Sequence, residues 1–269
     1  MILSYRKNFQ FHAFHELVHS NWPIFTSISL LNLVLSTILY LHIFYIAKYL
    51  LYISIILVLL FMFYWFKDIT IEGTFLGNHT LIVQRGIFLG INLFIISEFL
   101  FFLSIFWAFF HSALSPNIEL GLLWPPIGVL SIDPFELPLL NTVALLSSGF
   151  TLTLSHFSLL KGFRLGTLIG LIFTLILSIL FTYLQGVEYT VSSFTFTDGI
   201  FGSCFYMGTG FHGIHVLIGT LFLFVGFIRC LFYHFTLNHH LGFESSIYYW
   251  HFVDIVWIFL YISMYFWGS

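Results

Sequence analysis

A chain of 269 residues with 59% hydrophobic and only 7% charged residues is excluded from the soluble globular class, where about a quarter of residues are charged. Too little polar material is present to wet a surface, so lipid is the expected solvent for most of it. A net charge of −3 without any basic run excludes nucleic acid as a partner.

The first twenty residues contain Arg6, Lys7, three histidines and Glu16. They show neither the apolar core of a signal peptide nor the Arg/Ser-rich character of a transit peptide. The expectation is a multipass protein inserted where it is made. The 37 phenylalanines, with abundant Ile and Leu, suit an AT-rich organellar genome; a bacterial inner membrane is the alternative. A spanning helix needs about 20 mainly apolar residues. Seven windows qualify, near 22–41, 49–66, 86–112, 139–159, 165–186, 203–232 and 247–267. Only His42 and Lys48 interrupt the first two, and the charge distribution favours keeping them separate. Seven spans put Arg6, Lys7, Lys67, Arg85, Lys161, Arg164 and Arg229 on one side and only Lys48 on the other. By the positive-inside rule the amino terminus then lies inside and the carboxyl terminus outside. Glu119, Asp133, Glu136, Glu188 and Asp198 fall in two long outer loops without Lys or Arg. These read as solvated loops, although an acidic surface can also attract a basic partner.

All six prolines sit at span edges or in one outer loop. Neither the discontinuous helices nor the internal repeats of many secondary transporters are visible. Small residues recur at helical spacing instead, in the pair Gly86 and Gly90 and the row Gly162, Gly166 and Gly170. Such rows let helix backbones approach closely. Cys204 and Cys230 fall on one expected helix, roughly 39 Å apart at about 1.5 Å per residue, too far for a disulfide.

Two carboxylates fall within spans. Glu98 lies twelve residues after Gly86, roughly 18 Å along the helix and near mid-bilayer. Its same-face neighbours, among them Phe94, Ile95, Phe101 and Phe102, cannot satisfy it. It therefore needs a partner on another helix or must stay protonated. It is either a proton-responsive or lipid-contacting group, or half of an interhelical hydrogen bond. Asp254 has His251 one turn before it, a spacing at which helical side chains meet. These two form an expected structural ion-pair cluster, with Arg229 at a depth that could join it. Thirteen histidines invite a metal reading, and His212 and His215 share one helix face. Metal sites need convergent ligands, and no HExxH or Cys/His array appears, so the expectation is no metal. Trp65, Lys67, His79 and Arg85 flank the inner loop after the second span, and Arg229 and His234 end the sixth on the same side. Basic groups beside an interfacial Trp suit an anionic phospholipid, although positive-inside anchoring produces the same pattern.

The last segment, NHHLGFESSIYYWHFVDIVWIFLYISMYFWGS (238–269), resembles the final helix of the cytochrome c oxidase subunit III family. So do GNHTLIVQRG (77–86), LFIISEFLFF (93–102), FWAFFHSALSPNIELGLLWPP (106–126), PFELPLLNT (134–142) and TGFHGIHVLIGTLFL (209–223). These blocks keep the family's order and cover nearly everything from Trp65 onward. The resemblance implies an all-α integral membrane protein, a single subunit III domain over 1–269 with seven transmembrane helices. Its parts would be an inner segment (1–21), a two-helix bundle (22–66), an inner loop (67–85) and a five-helix bundle (86–269), the bundles flanking a V-shaped lipid-filled cleft. It implies a non-catalytic core subunit of cytochrome c oxidase, in the mitochondrial inner membrane with its amino terminus in the matrix. Haem and copper would sit in subunits I and II, subunit I being the main contact, with accessory subunits around and cytochrome c as electron donor to the assembly. Phosphatidylethanolamine, phosphatidylglycerol or cardiolipin would be held at Trp65, Lys67, Glu72, His79, Arg229 and His234, and Glu98 would be the family's carbodiimide-reactive glutamate. Lys67, Ile71, Asn78 and Phe88 depart from the family's usual Arg or His, which weakens the headgroup transfer, since Lys lacks the fork of Arg. The alternatives are the matching subunit of a quinol oxidase, commonly two spans shorter, or a proton-coupled carrier using Glu98.

Overall fold

The computed structural model describes residues 14, 19–118 and 121–268. Arg6, Lys7, Glu16 and Glu119 lie outside the described residues. Seven helices are long and apolar enough to cross a membrane, and the described residues contain no strand. They are α1 (Trp22–Leu41), α2 (Ala47–Thr74), α3 (Leu81–Leu114), α4 (Leu137–Leu160), α5 (Arg164–Val191), α6 (Gly199–Leu231) and α7 (Leu241–Leu260). A π-helical stretch, Tyr261–Trp267, continues α7. The chain divides into two compact units, Met1–Ile87 and Phe88–Ser269.

In the first unit α1 and α2 form an antiparallel hairpin. Its polarity is inverted relative to a soluble pair. Thr26, Ser29 and Ser36 are the buried residues of α1, while Ile24, Ile28, Leu31 and Val34 point outward, each more than half exposed. Ser36 Oγ donates to Ser54 Oγ of α2 at 3.3 Å. With lipid as apolar as Leu, a helix pair gains most from small residues that permit close approach and from interhelical hydrogen bonds. At the other end Trp22 stacks on Tyr64 with ring centroids 4.7 Å apart.

The second unit is organised around α7, the most buried of the spans. Trp250 and Trp257 are fully enclosed and donate their indole N–H groups to Ser148 Oγ at 2.9 Å and Thr142 Oγ1 at 3.0 Å on α4. Each large ring thus fills the core while its one polar atom is satisfied on a neighbour. Glycines make room for them: a Cβ on Gly219 of α6 would lie 2.9 Å from Trp250 Cε3. The α4–α5 pair packs closely: a Cβ on Gly170 would lie 2.7 Å from Ser155 Cβ and 3.0 Å from the Thr151 carbonyl. By contrast α3 reaches its neighbours through rings: Phe102 lies 5.0 Å from His215, Phe101 4.9 Å from Phe211 and Phe110 5.3 Å from Trp267.

Three sequence expectations are corrected. A Cβ on Gly86 or Gly90 would meet nothing within 4 Å among the described residues, so neither glycine makes room for a helix of its own unit there. Gly162 belongs to the α4–α5 turn with φ +74°, leaving Gly166 and Gly170 as the helix-facing glycines. Glu188 is in no loop. The fifth helix continues past the apolar window to Val191, and Glu188 is 1% exposed on it.

Candidate functional site

Glu98 finds its partner on another helix. His215 Nε2 of α6 lies 2.9 Å from Glu98 Oε2, and His215 Nδ1 lies 2.6 Å from the Phe211 carbonyl oxygen. A carbonyl only accepts, so Nδ1 must carry a hydrogen. One further proton is then shared between Nε2 and the carboxyl, making the pair either two neutral groups or imidazolium and carboxylate. Its net charge is zero in both forms. His215 is buried, whereas Glu98 is about a quarter exposed at the protein's surface. His212, one turn earlier, is fully buried with its Nε2 on the Val253 carbonyl at 3.2 Å.

Glu188 is the functional candidate that sequence reasoning missed. It accepts from Tyr265 Oη at 2.6 Å, Gln185 Nε2 at 3.3 Å and Asn141 Nδ2 at 3.5 Å. Asn141 also donates to Gln185 Oε1 at 3.3 Å, so α4, α5 and the end of the last span are tied by one buried polar knot. A signal was present. Gln185 and Glu188 stand one helical turn apart, and Tyr265 is one of three hydroxyls, with Tyr261 and Ser263, in the stretch that ends the last span.

His251 Nδ1 and Asp254 Oδ2 lie 3.3 Å apart, and Thr153 Oγ1 of α4 is 3.4 Å from His251 Nε2. Asp254 sits directly over Gly149, where no side chain would fit. Arg229 is not part of this cluster. Its guanidinium lies 4.6 Å from the Phe235 ring centroid and 2.5 Å from where a Cβ on Gly242 would stand. Gly242 precedes Asp254 by twelve residues, about 18 Å along the helix.

The expected headgroup residues divide between the two units. In the first, Trp65 is half-buried and Lys67 exposed, its Nζ 6.0 Å from the Tyr64 ring centroid. Glu72 is buried and lines a cavity of about 130 Å³ with His19, Ser20, Asp68, Ile71 and Leu76. Ser20 Oγ donates to Asp68 Oδ2 there at 3.1 Å. His79 lies with its ring against Gly73. In the second unit Arg229 and His234 are both half-buried. Burial, then the charge of Arg229, holds His234 and His239 below the ordinary imidazole value. Arg164 at the start of α5 supplies a link the sequence did not suggest. It donates to the Cys230 and Leu231 carbonyls at 3.2 and 2.7 Å and lies 3.7 Å from the Tyr233 ring centroid, capping α6. Phe88 packs edge-on against Tyr248 at 5.3 Å.

Residues 12–269 match the family model described as cytochrome c oxidase subunit III. Among curated proteins, "Cytochrome c oxidase subunit 3" of Neurospora crassa is 62% identical over 264 residues, covering 98% of each chain. The protein of the same name from Podospora anserina is 61% identical over 264 residues with the same coverage. That of Emericella nidulans is 59% identical over 268 residues, covering 100% of both. These relatives carry the cytochrome c name and do not favour the quinol-oxidase or carrier alternatives.

Proposed function

The chain belongs to the cytochrome c oxidase subunit III family, and from that premise we propose that it is the non-catalytic core subunit of a mitochondrial cytochrome c oxidase. The observation that carries the proposal is the roughly 60% identity maintained over essentially the whole chain. Dioxygen reduction and proton pumping then belong to subunits I and II, with subunit I as its main neighbour and haem and copper held there. The inner mitochondrial membrane is the setting, with the amino terminus in the matrix, as the lysine and arginine distribution favours.

Within that role its residues do three things. The buried hydrogen bonds of α7 to α4, and of Tyr265 beyond it to Glu188 of α5, hold the second unit together. The His212 nitrogen nearest α7 is already engaged by the Val253 carbonyl at 3.2 Å, which supports packing rather than haem ligation for that residue. Lys67 beside Tyr64, and Arg229 beside Phe235, offer a cation next to an aromatic ring at the helix ends, an arrangement that fits an anionic headgroup. Trp65, Lys67, Glu72 and His79 in the first unit and Arg229 and His234 in the second are the proposed phospholipid contacts. Phospholipid, when bound, supplies a matched apolar filling and a fixed negative charge. Glu98, with one transferable proton shared with His215 and part of its carboxyl exposed, is the proposed proton-responsive group. Glu98→Gln should lower steady-state oxygen reduction modestly with haem content intact; loss of bound haem would refute this. The family role itself is tested by affinity purification of the tagged chain, which should bring haem-bearing polypeptides with it in fixed ratio. Recovery without them would overturn it.

A further inference from the structure

We infer that His156, His240 and Glu244 form a binding site for a zinc-type divalent cation where α4 ends and α7 begins. The three lie within a structure that brings together residues 84 positions apart in sequence, and one ligand atom from each falls within 4.8 Å of the others. His156 stands just before the last turn of α4, His240 occupies the N-cap position of α7 and Glu244 follows one turn on. This goes beyond the family role and revises the expectation of no metal, which rested on short-range spacing alone.

The second observation is the state of the nitrogens. His240 is 8% exposed, and its Nδ1 donates to the Thr236 carbonyl at 3.0 Å. A neutral imidazole with Nδ1–H has a bare lone pair on Nε2. That Nε2 has no hydrogen-bond partner among the described residues, and neither does Nε2 of His156. Buried polar atoms are normally satisfied, so two orphaned imidazole nitrogens in one cluster call for an occupant. Glu244 Oε1 stands 3.9 Å from His240 Nε2 and provides the negative charge. The fixed Nδ1–H···O=C bond is the orientation that metal-binding histidines generally show.

Two histidines and a carboxylate are a donor set that zinc favours, with a fourth position left for water. Zinc bonds of about 2.0–2.1 Å place tetrahedral ligand atoms about 3.3 Å apart. The donors must therefore draw in by an ångström or so, within reach of side-chain rotation at a helix end. Arg229 does not oppose the cation directly. It rests on Gly242, and positions 242 and 244 lie about 200° apart around a helix of 3.6 residues per turn.

The test uses the purified assembly, dialysed against buffered Zn²⁺, with zinc counted by elemental mass spectrometry per copy of this chain. Wild type should retain one zinc more than His156→Gln. Glu244→Gln should weaken that site about tenfold or more, as loss of even an outer ligand commonly does. His156→Cys should restore zinc, because thiolate is itself a zinc ligand; a purely structural histidine would not be rescued this way. Equal zinc in wild type and His156→Gln overturns the inference. If His156→Gln does not assemble, undiminished retention by Glu244→Gln overturns it equally. Counting per chain keeps the result separate from whether haem-bearing subunits are present.

Discussion

The Glu98–His215 pair permits the sharpest test of how α3 is held. Replacing Glu98 by Leu leaves the His215 Nε2 without its partner at 2.9 Å, and replacing His215 by Leu strands the carboxyl. An unsatisfied buried group costs about 1–3 kcal/mol, reduced here because Glu98 is a quarter exposed. The coupling between the two sites is the informative quantity. Interhelical hydrogen bonds in membranes measure about 0.6 kcal/mol on average and up to about 1.7. At about 1.36 kcal/mol per tenfold in rate, that is between roughly threefold and twentyfold. The assay is the rate at which this chain leaves the detergent-solubilised assembly, for wild type, both single variants and the double variant. The expected result is that the double variant leaves more slowly than the product of the single effects by that factor. Multiplicative single effects would show that the pair holds nothing together and refute the reasoning. Glu98→Gln is the companion variant, because an amide N–H can donate to the bare Nε2. It should leave the dissociation rate near that of wild type while removing the shared proton.

Gly170→Ala forces a Cβ to 2.7 Å from Ser155 Cβ and should destabilise the α4–α5 pair by about 1–3 kcal/mol, the usual range for overpacking. Gly90→Ala, placed in open space, should leave thermal stability of the isolated chain unchanged in a melting experiment. Arg229→Ala should deplete tightly bound anionic phospholipid and hasten turnover-linked inactivation, and lipid mass spectrometry showing undiminished lipid would remove the headgroup assignment. His234 and His239 are held below the ordinary 6.5 by burial and then by Arg229. Their neutral forms therefore contribute stability that is present above about pH 6.5 and lost as pH falls through the lowered values. Arg229→Gln should flatten that acid-side loss, measured as melting temperature between pH 7 and pH 5.

The seven spans were legible because a bilayer imposes a minimum apolar length, and the stop signals of this chain are charges and prolines. Helix ends were less legible. Apolar windows report the hydrocarbon layer, whereas the 34 residues of α3 continue for about 51 Å, beyond the roughly 30 Å core. The same overhang keeps Glu188 on α5, beyond its apolar window. His251 and Asp254 could be paired in advance because a three-residue separation fixes their geometry locally. Glu98 could be seen to need a partner, but nothing in the sequence pointed to His215, 117 positions away. The same long-range closure hid the His156–His240–Glu244 cluster. Gly86 and Gly90 failed in the opposite way: spacing shows that two small residues share a face, not that another helix of the same chain covers it.

Native mass spectrometry of the affinity-purified assembly, with subunits ejected one at a time, tests the central claim most directly. The account predicts that this chain leaves with phospholipid and without haem, while haem stays with the remaining polypeptides. A haem mass carried by the ejected chain, or an assembly with no haem-bearing polypeptide in it, would contradict the account.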